Sequence, residues 1–493
     1  MFALVGLTAV LYNLRSIPID SIGSVIQIWP IVFVCLIPLM FLMRKDITER
    51  VHLVDMYVTL AFILMLSILC ISIKIIPTAA FFAGVFLGIF FAVARLSCHP
   101  LLKGSLTWCL FMGALWVLSF RIVSSCFGTF ILLTTPLASA PQIIQPIRFF
   151  GQCSLEFLVV GINAALACLF LGERKPASVF GCLATLWIIA SLILFTNHPA
   201  PSTSVRVGLG DSSVFTDSSL FIDNDRTSTP ADILVFPEQA VTMAPIDNQY
   251  SNSDLVARCA GEIKKAKAKW LSVEGKKKIP DNDNFFILAG CQGPNIAVAL
   301  FPDGTSAGYA KLNPMILLGE MSLLNFGHKK WKLNDKVSFA PLISFDTDFS
   351  STFGDAVNLD VPLVISPSLD SPGVREHYLV GVMRAIEYGV TFVKNDVGFD
   401  SAVVTPRGEV VYLRQRLQPQ PHLTVVSVPI WLNQTKTLYA IIGPYIFSLS
   451  CAFYIVVLMI IRVRRSIQAE QEELLGFRQP EPAFRQPSIP YSL

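Results

Sequence analysis

The chain has 493 residues, 53% of them hydrophobic and only 15% charged, with a net charge of +3. Soluble globular proteins carry about 25% charged residues, so an ordinary soluble domain is excluded and a membrane class is indicated. The small net charge excludes a basic nucleic-acid surface. Six histidines without a His/Cys cluster speak against a metal site, and no cofactor is expected.

A membrane-spanning helix needs about 20 mostly apolar residues. Residues 1–13 are apolar but short, and they lack a basic start and a small-residue cleavage site. They read as a first span missing its beginning. Segments 24–43, 55–73, 78–97, 104–123, 154–172 and 178–197 follow as further spans. Residues 124–153 are apolar but interrupted by Pro136, Pro141 and Pro146. Irregular backbone is not tolerated facing hydrocarbon, so this stretch reads as a re-entrant or interfacial segment, or as an ordinary loop. A last span is expected over 437–461, within a unit bounded by 433–465. The tail 466–493 is polar and Pro-rich and reads as a disordered end with a short helix at most.

Arg44, Lys45 and Arg50 follow one span, Glu173-Arg174-Lys175 separates two others, and Arg462, Arg464 and Arg465 follow the last. The positive-inside rule puts all three clusters in the cytosol. Residues 198–436 then lie on the extracytoplasmic or lumenal face, where Asn433-Gln434-Thr435 is a glycosylation sequon.

The polar segment alternates short β-type runs (205–209, 233–236, 285–290, 296–301, 337–343, 361–365, 390–394 and 402–404) with helical patterns over 253–270 and 374–388. Pro302-Asp303-Gly304 marks a hairpin turn. About 230 residues suffice for one well-buried domain, and the order fits a layered α/β sandwich. Of eleven cysteines, only Cys259 and Cys291 lie in this segment. A disulfide is open to them in an oxidising compartment; two free thiols are expected.

Three words stand out in chain order: Pro237-Glu238, Tyr309-Ala310-Lys311 and Ile343-Ser344-Phe345-Asp346. Covalent acyl transfer needs a base, a cation for the oxyanion and a nucleophile. Each residue alone has a plainer reading. Glu238 could sit at a helix N-terminus, Lys311 could be a solvated hairpin lysine, and Glu387 could be a surface helix charge.

Together with Asp303-Gly304, Gly319-Glu320, Met383-Arg384-Ala385-Ile386-Glu387-Tyr388-Gly389 and Asn395-Asp396-Val397-Gly398, these words resemble the carbon–nitrogen hydrolase (nitrilase) superfamily. Seven spans, this domain and one more span resemble its apolipoprotein N-acyltransferase branch over about residues 1–465, and so does the stretch from Ser139-Ala140-Pro141-Gln142. The resemblance implies a multi-span helical membrane domain of about eight helices (1–200 and 433–465). It also implies an α-β-β-α sandwich over 201–432. The implied activity is ping-pong transfer of an acyl chain from phospholipid to the N-terminal amine of a lipoprotein, by a monomer. It would make Glu238 the general base and Lys311 the oxyanion holder. Glu320 would be a second carboxylate, one residue later than the family's spacing, with Asp346 and Glu387 in support. Ser344 occupies the nucleophile position, where the family has Cys. A serine hydroxyl is a far weaker acid than a thiol and normally needs an imidazole base, and no motif puts His328, His377 or His422 beside it. The alternative is a catalytically inactive relative that binds acyl lipid or a membrane partner. An amidase for soluble substrates would not need eight spans. A transporter would carry more charges inside its spans. Segment 124–153 and loop 312–331 are the candidate membrane-facing walls of the pocket.

Overall fold

The structure, a computed structural model, describes residues 16–19, 24–49, 103–129, 133–215, 230–241, 252–272, 285–291, 295–314, 326–370, 377–397, 400–414, 422–432 and 435–474, besides two isolated positions near the N-terminus. The expected spans 55–73 and 78–97 and the sequon Asn433 lie outside these residues. So does nearly all of 1–13.

The expected span 24–43 is not one helix. A short hairpin pairs Ser16–Ile19 with Ser24–Gln27, a 3-10 turn follows at Trp29–Phe33, and α1 runs over Ile37–Glu49. Pro30 and Pro38 lack the N–H that a continuous helix needs. The break is covered by Asn163, which accepts from Leu36 N at 2.9 Å and donates to Val32 O at 2.9 Å, satisfying two of the backbone groups that the break frees. Three long helices follow: α2 (Ser105–Phe127), α3 (Gln152–Phe170) and α4 (Arg174–Thr196). They reproduce the spans expected at 104–123, 154–172 and 178–197 to within a few residues.

The sandwich has α5 (Asn252–Leu271), α6 (Ser350–Val357) and α7 (Tyr378–Tyr388). Its strands are β1 (Thr203–Gly210), β2 (Ile233–Val241), β3 (Phe286–Cys291), β4 (Ile296–Leu300), β5 (Ser306–Ala310), β6 (Trp331–Lys332), β7 (Ser338–Pro341), β8 (Leu363–Ser368), β9 (Thr391–Asp396), β10 (Ser401–Val404), β11 (Val410–Arg414) and β12 (Leu423–Ile430). One sheet has the order β12-β1-β2-β3-β4-β5, the other β11-β10-β9-β8-β7-β6. The central strands β1-β2-β3 and β7-β8-β9 run parallel, with antiparallel strands outside them. The sheets face one another; α5 covers the first and α6 and α7 the second, giving four layers, α-β-β-α. Both β8 and β9 are buried throughout, as parallel strands covered on two faces must be.

After the sandwich a short helix, Leu438–Ile442, ends at Gly443, and α8 runs over Ile446–Leu474. The last apolar helix starts later than the expected 437, because Gly443 (φ 78°) and Pro444 break the helix. It runs on through Leu474, within the short helix allowed for the tail, since Gln468–Glu473 are good helix formers that continue the register.

Among the described residues four helical stretches are long and apolar enough to cross a membrane: Ser105–Ile122, Gln152–Phe170, Arg174–Thr196 and Ile446–Glu472. The most buried of these is α3; Phe157 packs against Gly113 of α2, and Phe180 of α4 against Gly161 of α3, close approaches that only small residues permit. Leu186, Ile189 and Ile193 of α4 and Leu449, Phe453 and Val456 of α8 are exposed apolar faces. Arg44 pairs with Glu173 at 2.8 Å and donates to Lys103 O at 2.8 Å, which ties α1 to the starts of α2 and α4 at one end of the bundle. Arg121 lies over the Tyr445 ring, 4.3 Å from its centre.

The proline-interrupted segment is the mortar between bundle and sandwich. It forms short turns of helix at Thr135–Ser139, Pro141–Ile143 and Ile147–Phe150. Glu156, fully buried inside α3, accepts from Thr134 N (2.9 Å), Thr134 Oγ1 (2.8 Å) and Trp116 Nε1 (2.6 Å). On the other side Gln145 Nε2 donates to Arg407 O at 2.8 Å, and Glu387 Oε1 accepts from Gln152 N at 2.6 Å. One apolar core runs through both parts.

Candidate active site

Glu238 sits at the end of β2, where pairing with β3 jumps from Phe236–Ala289 to Val241–Cys291. In this bulge Pro237 and Glu238 fold over Gly290. A Cβ at Gly290 would lie 2.5 Å from Glu238 Cα and 2.7 Å from Pro237 O, so only glycine lets Glu238 occupy its place. Lys311 leaves β5, and its N–H donates to Asn295 O at 2.9 Å. Its Nζ lies 3.2 Å from Glu238 Oε1, and both side chains are buried.

Ser344 follows β7, after Leu342 N donates to Ile365 O at 3.0 Å. It is buried and has φ 43°. Asp346 joins its turn to the lysine strand. The carboxylate accepts from Tyr309 OH (2.8 Å), Leu312 N (3.0 Å), Asn313 N (2.7 Å) and Asn313 Nδ2 (3.0 Å), and from Ile343 N on its own turn (3.2 Å). Burial pushes the Asp346 carboxyl up, against the opposing pull of these donors and of Lys311. Asp346 therefore positions the two strand ends. The three residues singled out in the sequence thus stand on strand ends of both sheets, Glu238 and Lys311 in direct contact and Ser344 tied to the lysine segment through Asp346.

Non-glycine residues at positive φ are uncommon and strained. Among the described residues they are Gln239, Asn295, Ser344 and Asp360. Gln239 follows Glu238, Asn295 receives Lys311, and Ser344 is the candidate nucleophile, so three of the four lie at this site.

The Ser344 turn also touches the apolar helical bundle. Thr129 Oγ1 donates to Asp348 O at 3.0 Å. Gly128, at φ 74°, lies against Phe345 and Asp348: a Cβ there would be 2.6 Å from Asp348 Cβ and 2.9 Å from the Phe345 ring. Arg384 donates to Thr347 O (3.2 Å), Asp348 O (3.2 Å) and Thr129 Oγ1 (3.0 Å) and is paired with Glu387. Glu387 is thus a buried tie between α7 and α3, reaching the site only through Arg384, and not a surface helix charge. Glu320 and residues 315–325 of the candidate wall 312–331 lie outside the described residues.

Of the three histidines, His328 is 3.9 Å from Asp355 and His422 pairs with Asp211 at 2.7 Å. His377 alone meets the Ser344 turn. Its Nε2 bonds Asp348 and its Nδ1 bonds Asp370. Burial alone would lower this imidazole, but the two carboxylates push it up to about 10. It is an imidazolium with both nitrogens engaged, not a base for a hydroxyl. Sequence reasoning missed this cluster, which also includes Lys394 and Asp396. The available signal was Lys394 and Asp396 two residues apart, and so on one face of a strand that begins with the apolar pair Phe392-Val393. Among the described residues no group of three or more His, Cys, Asp or Glu could hold a metal ion. Cys259 and Cys291 are buried thiols, hydrogen-bonded to each other and not joined in a disulfide.

No family model matches the sequence, and no curated protein matches it. Among solved structures the chain is similar to a variant of a Nesterenkonia AN1 amidase from the nitrilase superfamily, at 17% identity over 47% of this chain and 94% of that one, with a TM-score of 0.34. An amidase from Nesterenkonia sp. gives 17% identity, coverage of 46% and 91%, and a TM-score of 0.33. A further variant of the AN1 amidase, carrying acrylamide added at its active-site cysteine, gives 18%, 46% and 93%, and 0.33.

Proposed function

We propose that the protein is a membrane acyltransferase of the apolipoprotein N-acyltransferase type, in which Ser344 takes an acyl chain from a phospholipid and passes it to the N-terminal amine of a lipoprotein. The observation that carries this reading is the seating of the Ser344 turn on Gly128 and Thr129, at the end of an apolar helix long enough to cross a bilayer. A nucleophile so placed is near lipid esters and far from the needs of a soluble amide.

In the first half-reaction Glu238 takes the Ser344 proton as Oγ attacks the lipid carbonyl. The Lys311 ammonium stabilises the oxyanion. The lysophospholipid alkoxide leaves with the proton from Glu238, and an oxyester remains on Ser344. In the second half-reaction the amine attacks that ester and gives its proton to Glu238, which returns it to Ser344 as the amide departs. The sandwich faces the extracytoplasmic or lumenal side, the helical end after Arg465 faces the cytosol, and the chain works as a monomer.

A second reading is favoured by one specific observation. His377, bonded to the turn, is locked between carboxylates, which among the described residues leaves Glu238 to activate the hydroxyl. A relative that binds acyl lipid without turnover would look the same.

Intact-protein mass spectrometry after incubation with phospholipid vesicles separates the two, using wild type, Ser344→Ala and Ser344→Cys. An acyl mass on wild type that is absent from Ser344→Ala is the expected result. An adduct confined to Ser344→Cys would mean that the pocket survives as a binding site. No adduct on any of the three would sink the lipid-donor reading.

A further inference from the structure

Beneath the Ser344 turn lies a charge cluster that the acyl-transfer chemistry does not use. Asp348 comes from the turn, Asp370 from the chain just after β8, His377 from the start of α7, and Lys394 and Asp396 from β9. All five are buried. His377 bonds Asp348 through Nε2 and Asp370 through Nδ1, the latter at 2.9 Å. Lys394 donates to Asp370 at 2.6 Å, to Asp396 at 2.8 Å and to Asp400 O at 3.0 Å. Two further cations border the cluster. Arg384, two turns along α7, donates to Asp348 O, and Arg414 on β11 donates to Asp396 O at 3.2 Å.

Burying five ionisable groups costs several kcal/mol per ion unless each is paired, and apolar residues would hold the layer together without that cost. What the ions do that apolar contacts cannot is fix a direction. The Asp348 Oδ1 atom has no hydrogen-bond partner among the described residues, so the Nε2 bond from His377 is what holds this carboxylate. Asp348 is four residues from Ser344, on the turn whose strained φ must be maintained from outside. Asp370 is anchored in turn by Lys394, on a strand buried throughout.

We infer that His377 is a positioning residue for Ser344: as the cation shared by Asp348 and Asp370, it pins the nucleophile turn to the ends of β8 and β9. The inference rests on the reading of Ser344 as the reacting residue. Without the imidazolium, two buried carboxylates face each other and the turn is pushed off the sheet.

The test uses the full-length protein in phospholipid nanodiscs with Ser344→Cys, and measures the rate of iodoacetamide alkylation at Cys-substituted position 344 by peptide mass spectrometry. Adding His377→Gln should slow alkylation about tenfold or more, since a 1 Å displacement can cost about 10²-fold. His377→Lys, which restores a cation, should recover the parent rate to within about threefold. Equal rates for the Gln variant and its parent would overturn the inference, as would a Lys variant as slow as the Gln variant. If His377→Gln does not fold, Asp370→Asn removes one of the two ties and should give a smaller loss; no loss would again overturn it. Iodoacetamide needs no lipid, so these rates stand whether or not position 344 accepts an acyl chain.

Discussion

Glu238 and Lys311 form an ion pair that is nearly sealed from water, and such a pair persists only if the backbone delivers both groups accurately. Gly290 is what delivers Glu238. Gly290→Ala puts a methyl group 2.5 Å from Glu238 Cα; we expect a cost of about 1–3 kcal/mol and loss of acyl-enzyme in the Ser344→Cys background, checked by thermal unfolding and mass spectrometry on one sample. His377 makes a pH prediction at the same scale. Its folded-state pKa is raised to about 10, above an unfolded value of about 6.5. The stability it contributes is therefore complete below about pH 6.5 and is lost as pH rises to about 10. Chemical unfolding near neutral pH and at about pH 9.5 should show the alkaline sample weaker, and His377→Gln should remove most of that difference.

At the level of elements, the contact that matters is between α2 and the turn after β7. Gly128 ends α2 at φ 74°, a conformation that a side chain strains, and its neighbours leave no room for a Cβ. Gly128→Val should lift the helix end from the Ser344 turn. Acylation from vesicle phospholipid should fall by about tenfold or more, while acylation from a water-soluble activated ester should change far less. Equal losses with both donors would mean that the helix end shapes the nucleophile itself and not its access to lipid. The bulge in β2 and the broken entry into α1 follow the same logic: each departs from regular structure where a glycine or proline demands it, and each is closed by a specific partner.

For the molecule as a whole, bundle and sandwich share one core, and Glu156 is the polar pin in it. Glu156→Leu removes the carboxylate that accepts from Thr134 N and Trp116 Nε1. Each buried unsatisfied group costs about 1–3 kcal/mol. The segment 133–150 should then loosen, and because Gln152 N binds Glu387, α7 should loosen with it. Hydrogen exchange should speed up in both places; faster exchange in 133–150 alone would mean that the two parts open independently.

Much of this was legible in the chain. Long apolar runs report α2, α3 and α4, and the short apolar runs Leu363-Val364-Ile365 and Phe392-Val393 report the buried parallel strands β8 and β9. The site words showed Glu238, Lys311 and Ser344 because strand ends carry local signatures. Short or half-exposed strands such as β6, β11 and β12 were missed: they take their place from pairing with distant partners, and a two-residue strand has no period to read. So too with function. Sequence alone determined long apolar helices, a polar α/β domain and the short motifs that carry Glu238, Lys311 and Ser344. Only the tertiary structure decided that Lys311 meets Glu238, that Glu387 is a tie and not a surface charge, and that His377 is an imidazolium between two carboxylates. Those are contacts between residues far apart in the chain, and a contact of that kind has no local pattern to betray it.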